Sequence, residues 1–348
     1  MKYIVMLGDG MADYPVRELD GKTPLEAAFK PNMDFIAQHG ATGMVKTIPE
    51  GMPPGSDTAN LSVFGYDPKK WYTGRSPLEA VSMGIELSDT DVAYRCNFVT
   101  LSEAPSIEDA VMEDYSAGEI TTEEARELVD FLNVRFHTAR THLFPGITYR
   151  HCLVHYDAET GAVLTPPHDI SGQPVREHLP QGQYSGLLRA MMEYSYEVLR
   201  SHPVNVRRAA EGRAPATAVW LWGEGRKPSL PSFEELYGVR GSVISAVDLV
   251  QGIGLCAGLR VIRVPGATAN YHTDFAAKGR AAIEALRGGD DFVYIHVEAP
   301  DECGHRHEVS EKIYSIEQID HKIVGPVMEY LQGCGEDYAA LLMPDHPT

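Results

Sequence analysis

Four places in the chain set metal-ligating or nucleophilic side chains just after an apolar run or inside a tight Gly-rich loop. They are Asp9 in VMLGDGMAD, Ser56 in PPGSDTAN, Asp301 with His305 in VEAPDECGHRH, and Asp345 with His346 in MPDHPT. Mixed carboxylate and imidazole donors suit Zn²⁺, Mn²⁺ or a similar borderline ion, whereas Ca²⁺ would ask for more oxygens and no imidazole. Two such ions would need roughly six to eight protein donors. The serine adds a different chemistry. A hydroxyl is a poor nucleophile until its proton leaves, and a divalent ion beside it lowers its pKa as it does for water. Taken singly each motif has a bland reading: Gly-Asp-Gly after a strand is a common turn, a serine in such a loop often caps a helix, and Asp-x-x-x-His arises by chance. The joint pattern is what points to a site.

Residues 3 to 7, YIVML, form an all-apolar run with β-branched members that stops at Gly-Asp-Gly, the pattern of a buried parallel strand. FVYIHVEAPDECGH (292 to 305) and YAALLMPDH (338 to 346) repeat strand-then-acid, with the periodic helix EVSEKIYSIEQIDHKIVGPVMEYLQ between them. Ligands of open α/β sheets sit outside the carboxyl ends of the strands, so residues three hundred apart can meet there. Asp301 and His305 would share one face if their segment is helical. Two prolines ahead of Ser56 should stiffen its loop and hold the hydroxyl outward. Near the start, Thr23, Pro24 and Glu26 read as an N-cap, an N1 proline and a capping box, and NMDFIAQHG closes a second helix on Gly40.

The middle differs in style. ITTEEARELVDFLNVRF and YSGLLRAMMEYSYEVLRSH read as helices, while DTDVAYRCNFVTL and HLFPGITYRHCLVHYD alternate like half-exposed strands. TAVWLWGEG (217 to 225) returns to the buried-strand style, followed by a helix at 245 to 258 and the strand RVIRVPG. The expected organisation is a discontinuous metal-binding core, 1–85 and 215–348, with an α+β insertion at 86–214.

With 30 basic and 49 acidic side chains the net charge is −19, which repels polyanions and disfavours nucleic acid and anionic membrane surfaces as partners. No stretch approaches eighteen consecutive apolar residues, and the N-terminal apolar run is too short for a signal-peptide core, so the expected compartment is the cytoplasm. Five scattered cysteines (Cys96, Cys152, Cys256, Cys303, Cys334) without C-x-x-C spacing suggest free, mostly buried thiols.

Together VMLGDGMAD, PPGSDTANLSVFGYDP, YTGRSPLEA, AYRCNFVT, YRHCLV, PPHDISG, VPGATANYHTDFAAKG, VEAPDECGHRH and MPDHPT resemble, in order and from end to end, the 2,3-bisphosphoglycerate-independent phosphoglycerate mutases of the archaeal-type branch, within the alkaline phosphatase superfamily. The resemblance implies an α/β fold: an alkaline-phosphatase-like core with a mostly parallel central sheet flanked by helices, plus the insertion as a substrate-binding lid. It implies that Asp9, Ser56, Asp345 and His346 hold one divalent ion and that Asp301 and His305 hold another, the metals being Mn²⁺, Zn²⁺ or Mg²⁺. Ser56 would be the phosphorylated nucleophile that moves the phosphoryl group between 3-phosphoglycerate and 2-phosphoglycerate, with no bisphosphoglycerate cofactor. The family also carries a further metal-binding histidine downstream of the Asp-His pair. The sequence stops at Thr348, so the core is expected to lack its C-terminal end.

A small phosphorylated hydroxy acid needs cationic clamps, and arginine grips phosphate or carboxylate in two-pronged fashion. Among Arg75, Arg95, Arg150, His168, Asp169, Arg207, Arg208, Arg226 and Lys278, the family analogy favours Arg150, His168, Asp169 and Lys278, with Arg75 and Arg95 beside them. His151, His155, His307 and His321 have no second donor at ligand spacing and read as structural or exposed. The competing readings are a metal-dependent phosphatase or another phosphotransferase on the same core, of the homoserine-kinase kind, although no Walker-type loop supports ATP. A catalytically silent, metal-stabilised binding protein is the alternative from another class. Self-association into a homo-oligomer stays open.

Overall fold

The computed structural model describes residues 1–52 and 54–348; Pro53, the first proline ahead of Ser56, lies outside the described residues. The chain divides into two compact units, Met1–Tyr72 with Ser229–Thr348, and Thr73–Pro228.

The first unit is built on a five-stranded sheet. Its spatial order is Arg260–Ile262, Gly241–Ile244, Phe292–Val297, Lys2–Gly8, Tyr338–Met343, and every pairing is parallel. The first strand of the chain is therefore flanked by the two strand-then-acid segments, with Leu7 opposite His296 on one side and Met343 on the other. Continuous apolar sequence in the inner strands follows from burial on both faces. Ile4, Met6, Val293, Ile295 and Val297 pack with Phe275 and Ala282 of the Phe275–Arg287 helix and with Ile316 and Ile319 of the Val309–Ile319 helix. Each such side chain removed from water contributes roughly 1.5–3 kcal/mol.

Thr23 and Glu26 make the reciprocal capping box, and the Pro31–His39 helix ends at Gly40 as its sequence indicates. The Tyr338–Met343 segment, whose composition reads as a buried strand, lies at the edge of the sheet with several side chains partly exposed. The long periodic helix is broken: Val309–Ile319 passes through a π-helical turn, Asp320–Val324, before Gly325–Gly333. Asp320 sits in that turn. Its carboxylate accepts from the Met33 amide at 2.7 Å and from the Asn32 side chain at 2.7 Å, capping the Pro31–His39 helix.

The second unit holds an antiparallel sheet in which Val92–Leu101 pairs with Met112–Asp114, Arg150–His155 and Ala218–Arg226, and Thr141–Phe144 pairs with Arg150–His155. The helices Thr122–Phe136 and Ser185–Leu199 pack on it through Leu128, Leu132, Leu188 and Met192. Two expectations change here. The insertion begins at Thr73 and ends at Pro228, outside the expected limits of 86 and 214, because Ala218–Arg226 pairs with Val92–Leu101 in this sheet. Val92–Leu101 is also not half-exposed: all but one of its residues are buried, since it is the central strand. Among the described residues the five cysteines are free, three of them buried, and no helix is long and apolar enough to cross a membrane.

Candidate metal centre

All six sequence-predicted metal and nucleophile residues lie in the first unit; five follow its parallel strands, and Ser56 opens a helix that faces His346. The Lys2–Gly8 strand hands over to Asp9, whose amide still donates to the Val297 carbonyl of the neighbouring strand at 2.9 Å. Gly10 then turns with φ +59°, and its amide donates to Asp345 Oδ1 at 3.2 Å. A Cβ on Gly10 would come within 2.7 Å of Asp301 Cα and 2.6 Å of Asp301 Oδ1, so both the positive φ and the close approach demand glycine.

Asp345, just past the Tyr338–Met343 strand, is held from the other side. Its Oδ2 accepts from Asn60 Nδ2 at 3.1 Å and its carbonyl accepts from the Thr47 hydroxyl at 2.7 Å. Asn60 is fully buried, donates also to the Ser56 carbonyl at 2.8 Å, and accepts from the Tyr294 hydroxyl at 2.7 Å. It therefore ties the first turn of the Ser56–Val63 helix to Asp345.

His346 completes the group. Its Nδ1 faces the Pro347 carbonyl at 3.2 Å and the Thr348 hydroxyl at 3.0 Å, partners that assign the proton to Nδ1. That leaves Nε2 facing Ser56 Oγ at 3.2 Å, Asp9 Oδ1 at 3.3 Å and Asp345 Oδ2 at 3.6 Å. Asp9, Asp345 and His346 each place a ligand atom within 4.8 Å of the others. Asp9 is fully buried and its Oδ1 has no hydrogen-bond partner. Burial first, then the nearby charges of Asp345 and Asp301, pushes its carboxyl well above the usual carboxylate range. A buried carboxylate facing two others with an unpartnered oxygen is costly by itself and is relieved by a divalent cation, so the donor set fits such an ion.

Asp301 and His305 lie on the Ala299–His305 helix, one turn apart, with His305 Nε2 3.3 Å from Asp301 Oδ2. Asp301 is buried and accepts from the Thr348 hydroxyl at 2.6 Å, while the His305 side chain is 70% exposed. His346 Nδ1 is 4.0 Å from Asp301 Oδ1, which places this pair beside the first group.

Two residues that the sequence reading passed over join the cluster. His296, fully buried, lies 2.8 Å from Asp9 Oδ2 and 3.6 Å from Glu298 Oε2. Burial holds its imidazole toward the neutral form and, with Asp9 beside it, pushes the Glu298 carboxyl well up. The available signal was a histidine inside an otherwise apolar strand, followed two residues later by an acid. Lys278, an expected substrate contact, donates to the His296 carbonyl at 3.3 Å, and burial pushes its ammonium down to about 8.

The other expected substrate residues lie in the second unit. Glu79 Oε1 accepts from Arg75 Nε at 2.8 Å and from Arg95 Nη1 at 2.9 Å. Burial opposes ionisation of Glu79, yet Arg95, Arg75 and Arg150 together hold its carboxyl below the usual range. Arg95 stacks over Trp222 at 4.6 Å, and His168 meets the same ring edge-on at 5.4 Å. The His168 imidazole is lowered by burial first and then by Arg95 and Arg75, against the opposing charge of Asp169. Three guanidiniums around one carboxylate leave a net positive patch. Asp169 is exposed, 3.5 Å from His168. Arg208 and Arg226 are engaged elsewhere, Arg208 with Glu124 at 2.6 Å and Arg226 with Glu159 at 2.9 Å, and Arg207 reaches only toward Glu124 at 3.9 Å. His151 is buried, consistent with a structural role.

The fold and this cluster define an α/β protein that gathers metal-ligating side chains at the carboxyl ends of a parallel sheet. A family model described as 2,3-bisphosphoglycerate-independent phosphoglycerate mutase matches residues 37–205. Over the whole chain, the sequence is 52% identical to a protein of that name from Methanothrix thermoacetophila and 53% identical to a probable one from Geobacter sulfurreducens, covering 86% of each relative. Among solved structures, a Pyrococcus horikoshii protein aligns over 100% of this chain and 82% of its own, with TM-score 0.81 and 33% identity. A cofactor-independent phosphoglycerate mutase from Thermoplasma acidophilum aligns over 99% of this chain and 87% of its own, with TM-score 0.64 and 27% identity. The chain belongs to the 2,3-bisphosphoglycerate-independent phosphoglycerate mutase family.

Proposed function

We propose that the chain interconverts 3-phosphoglycerate and 2-phosphoglycerate through a phosphoserine at Ser56, with Asp9, Ser56, Asp345 and His346 holding one divalent ion and Asp301 with His305 contributing to a second. The reading is carried by one observation: Ser56 Oγ lies 3.2 Å from His346 Nε2, itself 3.3 Å from Asp9, although these residues span the length of the chain. When bound, the ions supply Lewis acidity that lowers the hydroxyl pKa and offsets charge on the phosphoryl oxygens. Asn60 and the Gly10 amide fix Asp345, and so keep the donors in place. Ser56 opens the Ser56–Val63 helix, whose N-terminal end favours the added negative charge of a phosphoserine.

In the first half-reaction Ser56 Oγ gives up its proton and bonds to phosphorus as the bond to O3 of the substrate breaks and O3 takes up a proton. Glycerate turns while held, its O2 gives up its proton and bonds to phosphorus, and the bond to Ser56 Oγ breaks as Oγ is reprotonated. Arg75, Arg95, Arg150 and His168 are proposed to hold the carboxylate and phosphate oxygens, the half-buried Glu79 aligning two of those guanidiniums. Lys278 adds a cation on the metal-bearing unit, and Asp169 orients His168. The insertion acts as the substrate-binding lid.

An enolase-coupled assay with 3-phosphoglycerate and Mn²⁺, without bisphosphoglycerate, should give turnover that chelator removes. Ser56→Ala should lower it by several orders of magnitude and abolish ³²P trapping on the protein, with circular dichroism unchanged. Turnover that survives Ser56→Ala would overturn the phosphoserine route. Steady release of inorganic phosphate in place of 2-phosphoglycerate would favour the phosphatase reading, in which water takes the place of the retained hydroxyl.

A further inference from the structure

We propose that His296, Glu298 and Asp9 form a further divalent-cation site, adjacent to the one at Asp345 and His346 and sharing Asp9 with it. Neither His296 nor Glu298 belongs to the ligand sets above, and the inference does not depend on which phosphoryl reaction the chain performs.

The geometry begins with register. Gly8 lies opposite Val297 in the parallel pair, so Asp9 emerges beside Glu298 while His296 sits one residue back inside the strand. His296 Nε2 is 2.8 Å from Asp9 Oδ2 and 3.6 Å from Glu298 Oε2, and the three residues each place a ligand atom within 4.8 Å of the others. Asp9 and His296 are fully buried. Asp9 divides its carboxylate between two neighbours: Oδ1 faces His346 at 3.3 Å and Oδ2 faces His296.

A further observation points to a ligand. Glu298 Oε2 is buried and has no hydrogen-bond partner, although it faces the imidazole. The Lys278 ammonium feels the Glu298 charge, but its hydrogen bond goes to the His296 carbonyl at 3.3 Å. A proton shared between the Glu298 and Asp9 carboxyls serves those two groups and leaves the His296 lone pair unused. A cation in the same place satisfies all three donors.

The imidazole is also prepared for it. His296 Nδ1 lies 3.2 Å from Ser245 Oγ, which itself accepts from the Val247 amide at 3.0 Å. With the Nδ1 proton directed to that oxygen, the Nε2 lone pair faces the two carboxylates. Ligating histidines are usually oriented through their other ring nitrogen in this way. One imidazole and two carboxylates, with further positions left for water or a substrate oxygen, suit Mn²⁺, Fe²⁺, Co²⁺ or Zn²⁺.

The test is an equilibrium Mn²⁺ titration of the chelator-stripped full chain, free ion being followed by its electron paramagnetic resonance signal. Wild type is compared with Glu298→Gln, His296→Asn, Asp345→Asn and the double variant Glu298→Gln/Asp345→Asn. Glu298→Gln and His296→Asn should each lose one equivalent, or weaken one by about tenfold or more. Asp345→Asn should lose a different equivalent, and the double variant should lose both. The proposal is overturned if both single variants on this site bind as wild type does, or if the double variant loses no more than Asp345→Asn. Far-ultraviolet circular dichroism of each protein selects the folded variants, and the two independent substitutions keep the test decisive if one fails to fold.

Discussion

Gly10 does more for the candidate centre than its lack of a side chain suggests. It lets the Asp9 loop pass against the backbone of Asp301, and its amide holds Asp345. Gly10→Ala should therefore cost about 1–3 kcal/mol in backbone strain and crowding, and weaken Mn²⁺ binding as well. Thermal melting and a Mn²⁺ titration check this, and two unchanged curves would contradict it. A second residue-scale expectation concerns His151 in the other unit. Burial pushes its imidazole down to about 3, while the Gly146 amide donates to its Nδ1 at 3.0 Å. The unfolded chain takes up this proton near pH 6.5 and the folded chain does not, so stability is lost as pH falls from about 6.5 toward 3. The slope approaches 1.4 kcal/mol per pH unit. His151→Asn should flatten the difference in unfolding free energy between pH 6 and pH 4, measured by urea titration at both.

At the scale of elements, motif positions were legible and pairing partners were not. The capping box at Thr23 and the helix end at Gly40 follow from local rules, whereas the spacing of Asp301 and His305 leaves helix and loop both open and the structure makes the segment helical. Ala218–Arg226 was assigned to the wrong sheet, because an apolar run announces burial on both faces without naming its neighbours. The π-helical turn at Asp320–Val324 was equally hidden, since the sequence keeps its apolar period through it. Asp320 within that turn caps a helix nearly three hundred residues earlier in the chain, through the Met33 amide and Asn32. Asp320→Ala leaves those buried donors unmatched and should destabilise the fold by about 1–3 kcal/mol, read as a lower denaturation midpoint at constant m-value.

For the whole molecule, the division into two units makes its own prediction. Residues 73–228 carry a separate apolar core, and their ends meet: the Thr73 hydroxyl donates to the Arg226 carbonyl at 2.6 Å. Expressed alone, this stretch should fold cooperatively, with a sigmoidal melt and dispersed amide resonances. A non-cooperative melt would mean that the first unit is required for its folding. The arginine cluster around Glu79 lies wholly inside this stretch and should persist in it.

The sequence by itself determined the family, the α/β class, the apolar strands and the acids, imidazoles and hydroxyl at their ends, because these depend on residue type and short spacing. Only the tertiary structure decided which of them meet. The register of Lys2–Gly8 against Phe292–Val297 sets Asp9 beside His296 and Glu298, and no local spacing encodes a contact across nearly three hundred residues. The same holds for the orphaned oxygens of Asp9 and Glu298, whose lack of a partner arises when burial removes the water that would have served them.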